Sequence, residues 1–152
     1  MTGFAIDFEE DLPGFVIPGS GFATFVEAAT PGSTPAPARS IRNDQAWRVD
    51  VTFQTGGPMS CLIEGSWDIT VYLEGYGAQA PELQKCINVP FNRGNPGTQG
   101  ATLNWAAGEV PAGAYRTAVT VTMRSPSGCP VACAGVGDSA LLQFYDGGQG
   151  CC

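Results

Sequence analysis

Three segments of the chain alternate apolar and polar residues with a period of two. Trp47, Val49, Val51 and Phe53 interleave with Arg48, Asp50, Thr52 and Gln54. Trp67, Ile69, Val71 and Leu73 interleave with Ser66, Asp68, Thr70, Tyr72 and Glu74, and an earlier start would place Cys61 and Ile63 on the same inward parity. Tyr115, Thr117, Val119, Val121 and Met123 interleave with Arg116, Ala118, Thr120, Thr122 and Arg124. Successive side chains of an extended chain point to opposite sides, so each segment predicts a strand with one face in a core. Shorter runs at residues 22–27, 83–91, 101–105 and 140–145 add four more. Between them lie turn formers: Pro13-Gly14, residues 18–21, residues 92–97 and a Cys- and Gly-rich stretch, 125–137, which reads as a loop. No segment sustains a helical period and no internal repeat is visible. About seven short strands separated by turns predict an all-β, antiparallel β-sandwich.

A chain of 152 residues fits one domain. Residues 39–146 are expected to form the sandwich body. Residues 30–38 read Thr-Pro-Gly-Ser-Thr-Pro-Ala-Pro-Ala, an extended Pro-rich connector. That connector leaves residues 1–29, with their one short strand, as an N-terminal arm that docks on this domain or on a neighbour. Residues 147–152 form a Gly-rich tail ending in Cys151-Cys152, expected to be flexible.

Residues 110–121, Val-Pro-Ala-Gly-Ala-Tyr-Arg-Thr-Ala-Val-Thr-Val, resemble the turn into strand F of immunoglobulin-like and fibronectin type III-like domains. Tyr115 stands where their tyrosine corner stands, which implies a hydroxyl bonded to backbone upstream. Trp67 resembles their core tryptophan on strand C, and residues 101–105 resemble strand E. The resemblance covers residues 22–146 and implies an immunoglobulin-like sandwich. Thr117 occupies the position of the second cysteine of antibody domains, so their inter-sheet bridge is absent and a fibronectin-like or bacterial variant is favoured.

Charge narrows the function. The chain carries 14 acidic and 7 basic residues, a net charge of -7. Phosphate backbones need clustered cations, and the basic residues here are scattered, so nucleic acid is not an expected partner. No apolar run is long enough for a membrane helix. There is no histidine, which removes Ser-His-Asp and Cys-His catalysis and His-bearing metal centres. Lys85, the one lysine, reads as a solvated surface residue. Glu64, Asp68 and Glu74 share a strand face, but neighbours at i and i+4 lie roughly 13 Å apart, too far for a glycosidase pair. Asp7, Glu9, Glu10 and Asp11 lack the spacing of an EF-hand and read as a solvated run. The chain is expected to be non-enzymatic, with neither cofactor nor metal.

Cysteines and aromatics are the remaining candidates. The disulfide candidates are Cys61, Cys86, Cys129, Cys133, Cys151 and Cys152. A Cys61–Cys86 bridge would close a loop of about 25 residues and stabilise by about 3 kcal/mol on chain-entropy grounds. Cys129 and Cys133 meet if the loop around Pro130 folds back; a zinc site with Cys151 and Cys152 is a poorer match to metal-ligand spacing. The terminal pair fits intermolecular bridging, an inert tail, or a bridge back to the body. The first residues lack the basic and apolar regions of a signal peptide, so compartment turns on the thiols: bridges would imply an extracellular life, free thiols a cytoplasmic one. Trp47 and Trp67 fall on core parities. Tyr72, Tyr76 and Trp105 are the aromatics available to stack on sugar rings.

The expected function is a structural or protein-interaction module. It would bind a protein partner or copies of itself through the N-terminal arm or sheet edges. The alternative is a carbohydrate-binding module using the exposed aromatics.

Overall fold

Alternation sets the inward face of the three longest sequence-predicted strands. In the computed structural model, which describes residues 3–27, 36–37, 39–77 and 80–146, Trp47–Thr55 (β5), Ser66–Gly75 (β6) and Gly113–Arg124 (β9) bury the expected parity. Trp67, Ile69, Val71, Val119 and Val121 are fully buried, and Trp47 is 2% exposed. Each such side chain contributes about 1.5–3 kcal/mol through burial.

The other strands are Gly3–Glu10 (β1), Gly21–Glu27 (β2), Ala36–Pro37 (β3), Ser40–Arg42 (β4), Leu83–Pro90 (β7), Gly97–Trp105 (β8) and Pro130–Tyr145 (β10). The described residues therefore form ten strands rather than about seven, and no helix. They follow the order β7-β6-β9-β10-β1-β2-β5-β8, with β3 on β2 and β4 on β10. All pairings are antiparallel except β4 with β10.

The ladder folds back on itself at β1. Gly3 to Ile6 pair with Thr24 to Gly21 on β2, whereas Asp7 to Glu10 pair with Val136 to Cys133 on β10. The inward rings of the two halves meet: Phe53 of β5 lies edge-on to Trp67 of β6 at 4.9 Å, and Trp47 of β5 lies 5.1 Å from Phe144 of β10. This arrangement is consistent with a β-sandwich.

Two sequence expectations change here. The segment read as an arm supplies two strands paired within this chain, with Ile6 and Phe25 fully buried. The stretch 125–137 read as a loop holds the first half of β10. Its glycines serve packing: a Cβ at Gly135 would lie 2.6 Å from the Phe8 ring, and one at Gly137 would lie 2.5 Å from the Ala5 carbonyl oxygen. Bare backbone at these two positions lets β1 cross between the halves of the ladder.

Tyr115 is fully buried, and its hydroxyl donates to the carbonyl of Pro111 at 2.8 Å. The upstream backbone bond expected of a tyrosine corner is thus present.

Candidate functional site

The loop 56–65 between β5 and β6 is pinned from below by a buried polar cluster. Gln99 Oε1 accepts from Trp67 Nε1 (3.2 Å) and from the Asn92 amide (2.8 Å). Gln99 Nε2 donates to Thr55 Oγ1 (3.1 Å) and to the Asn92 carbonyl (2.5 Å). Ser60 Oγ donates to the Gly94 carbonyl at 2.5 Å. Every polar atom of the Gln99 amide is engaged, so the cluster is a fastening rather than a reactive centre.

A second set of bonds ties this loop to residues 11–16. The Met59 amide donates to the Gly14 carbonyl (2.9 Å), and Val16 and Gly56 exchange backbone bonds. Gly57 has φ +94°, and a Cβ there would fall 2.4 Å from the Gly14 carbonyl oxygen, so this approach requires glycine. The Asp11 amide donates to the Ala132 carbonyl, which brings Leu12 beside the start of β10.

The result is an apolar groove of about 350 Å³ lined by Leu12, Pro13, Met59, Ile63, Met123 and Val131, with Glu64 and Ser125 at its margin. Met59 is 42% exposed, and Leu62 in the same loop is 68% exposed. Val131 also lines an adjoining groove with Glu9, Glu10, Asp11 and Cys133. The acids read as a solvated run therefore flank an apolar site. Sequence reading missed this groove, because its wall comes from four separated segments; the one local signal was the pair of loop residues Met59 and Leu62.

On the other side of Glu64 lies a polar cleft of about 610 Å³ that includes Ser66, Asp68, Asn88 and Arg124. Glu64 and Asp68, expected on a solvated strand face, both line it. The Asp68 carboxylate accepts from Asn88 Nδ2 and Arg124 Nε, each at 2.7 Å. The Asn88 bond, then Arg124, hold it below the usual carboxylate range. Glu64 is ion-paired with Arg93. A general acid needs a raised pKa, so Asp68 is unsuited to that role.

The three candidate aromatics separate. Tyr72 (39% exposed) lines a shallow groove with Glu74, Glu82 and Gln84, and Tyr76 is 58% exposed. Trp105 is 2% exposed. One face of its indole stacks on Trp47 at 5.1 Å, and the Lys85 ammonium lies 4.5 Å from its ring centroid. It presents no platform to a sugar, which corrects the expectation. Lys85 is equally engaged: its Nζ donates to the Asn104 carbonyl (2.7 Å) and pairs with Glu109 (2.8 Å).

Cys61, Cys86, Cys129 and Cys133 are all free thiols, so the expected Cys61–Cys86 and Cys129–Cys133 bridges are not formed. Cys86 stands opposite Thr70, four residues into β6, whereas Cys61 lies in the loop that precedes β6. Cys129 is exposed whereas Cys133 is buried, and the β10–β9 ladder is irregular between Pro130 and Ala134, where the two would have to meet. Cys133 is buried, and burial pushes its thiol up to about 12. Cys151 and Cys152 lie outside the described residues. Among the described residues no cluster of His, Cys, Asp or Glu is arranged to hold a metal ion.

No protein-family model matches the chain, and no curated protein matches it.

Proposed function

We propose that the chain is a non-catalytic protein-interaction module on an immunoglobulin-like or fibronectin type III-like sandwich, and that it docks its partner at the groove beside loop 56–65. The tyrosine-corner bond of Tyr115 and the core position of Trp67 support the framework. The groove carries the functional reading. Apolar side chains with half-exposed Met59 at their rim form a concave surface, and such concave apolar patches mark interaction sites. Assembly with copies of itself is the variant in which the partner is the same chain. Its routes are the ladder ends β7 and β8 and β1, each half of which pairs with a single strand.

Photocrosslinking tests the reading. A benzophenone amino acid at position 59 is expected to give a discrete adduct with one partner, reproduced with that purified protein, while the same group at exposed Thr98 gives none. Equal labelling from both positions, or none from position 59, would defeat it. Light scattering across a concentration series separates self-association from a foreign partner.

A carbohydrate-binding role is the second reading, supported by the exposure of Tyr72 beside Glu74, Glu82 and Gln84, the mixture of a ring face and polar groups that sugars use. Affinity electrophoresis on a polysaccharide panel decides it: retardation abolished by Tyr72→Ala supports it, and unretarded migration on every polymer rejects it.

A further inference from the structure

The acidic groove beside β1 and the apolar groove beside loop 56–65 meet at Val131, which lines both. If the interaction-module reading holds, on which this inference rests, the two are one surface. The geometry points to its occupant: a flexible segment of a partner protein carrying Lys or Arg next to Leu- or Met-sized apolar side chains.

The apolar half is shaped for side chains. Met123, 1% exposed, belongs to the core, while Met59 stands at the accessible rim. Unbranched thioethers adapt to varied apolar shapes, as a surface that captures an extended segment requires. Strand addition onto β10 is not the mode here. Ala134 and Cys133 are already paired to Glu9 and Glu10, and the Ala132 carbonyl accepts from the Asp11 amide. Recognition therefore falls to side chains.

Charge complementarity fixes the rest. Glu9, Glu10 and Asp11 line one half, and among the described lining residues of either groove there is no Lys or Arg. Glu64, at the opposite margin, is held by Arg93. The negative field is thus concentrated on the β1 side, next to the apolar wall. An acidic segment would meet three carboxylates; a cationic one would be steered in. A second copy of this chain is a poor source of that cation. Of its seven Lys and Arg residues, Arg42, Arg48, Lys85, Arg93, Arg116 and Arg124 are in internal ion pairs, which leaves exposed Arg39 as the one outside the ion pairs among the described residues.

The test is a peptide array probed with the labelled full chain. One set carries Lys beside Leu and Met, a second replaces Lys by Glu, and a third replaces Leu and Met by Ser. The first set is expected to bind, with about tenfold or greater loss in each of the others. In anisotropy titrations of the strongest peptide, Met59→Asp is expected to weaken binding about tenfold at every salt concentration. The exposed pair Glu9→Lys and Asp11→Lys is expected to weaken it chiefly at low salt and to flatten the salt dependence. Thermal melts check folding, and Met59→Ser replaces Met59→Asp if that variant melts early. Equal binding of the Glu set, still sensitive to Met59→Asp, overturns the cationic partner and leaves the docking groove standing. Binding by no set overturns this inference; a failure to crosslink from position 59 would then remove the interaction reading as well.

Discussion

The ammonium of Lys85 on β7 lies 4.5 Å from the centroid of the Trp105 ring on β8, joining the two end strands of the ladder. The same nitrogen donates to the Asn104 carbonyl and pairs with Glu109. Cation–π contacts and exposed ion pairs are each worth about 0.5–1 kcal/mol. Lys85→Met keeps the aliphatic stem and removes the charge. It is expected to cost about 1–2 kcal/mol in urea unfolding, with the difference from wild type shrinking in high salt.

Tyr115→Phe removes one hydroxyl and leaves the Pro111 carbonyl without its donor. The expected cost is about 1 kcal/mol, read as a lower urea midpoint with unchanged slope. A change in slope would indicate that the strand start had reorganised instead.

Gln99→Leu should be far more damaging. It strips the acceptor from Trp67 Nε1 and the Asn92 amide and the donor from Thr55 and the Asn92 carbonyl. Buried groups left without partners cost about 1–3 kcal/mol each, so a loss of about 3 kcal/mol or more is expected by calorimetry. Gln99→Leu should also reduce peptide capture at the groove, since the cluster fastens the loop that carries Met59.

Asp68 contributes to acid sensitivity. Its folded pKa is depressed by Asn88 and Arg124. Its ionised form therefore favours the fold above the unfolded value, about 3.9. That contribution is lost as pH falls through the lower folded value. In stability measurements from neutral pH downwards, Asp68→Asn is expected to start less stable and to show a shallower acid limb. An unchanged limb would mean that the Asp68–Arg124 pair contributes nothing in solution.

Cys133 gives the opposite limb. Its folded pKa, about 12, exceeds the ordinary thiol value, so the buried neutral thiol is compatible with the fold below that ordinary value, about 8.5. Above it the unfolded chain ionises first, and stability falls as pH rises towards 12. Cys133→Ala is expected to flatten this alkaline loss. Peptide mapping after brief maleimide treatment should find Cys61, Cys86 and Cys129 modified and Cys133 protected until denaturant is added.

Legibility followed the periodicity. β5, β6 and β9 were readable because their alternation is unbroken and each buries one face. β1 carries the same signal in Phe4, Ile6 and Phe8, but Asp7, Glu9, Glu10 and Asp11 masked it as an acidic run. β10 was hidden for a different reason: Gly135 and Gly137 suggest a turn in sequence, whereas in space they make room for β1. Trp105 shares the inward parity of Gln99 and Leu103, so its burial is legible in the alternation with Thr102 and Asn104 even when the strand is read from residue 101. The candidate groove was not legible at all, since Leu12, Met59, Met123 and Val131 meet through pairings that no local pattern encodes.

The position of β1 between β2 and β10 also dictates an order of events. Asp7 and Val136 are neighbours in register although nearly the whole chain separates them. During synthesis β2 is made soon after β1, but the β10 residues that pair with Asp7 to Glu10 follow only after β2 to β9, so that half of the strand waits unpaired until they are made. Closure of so long a loop is slow, and an open apolar strand invites association meanwhile. The acids Asp7 and Glu9, which alternate with Phe4, Ile6 and Phe8, keep that waiting strand charged on one side until its last neighbour arrives.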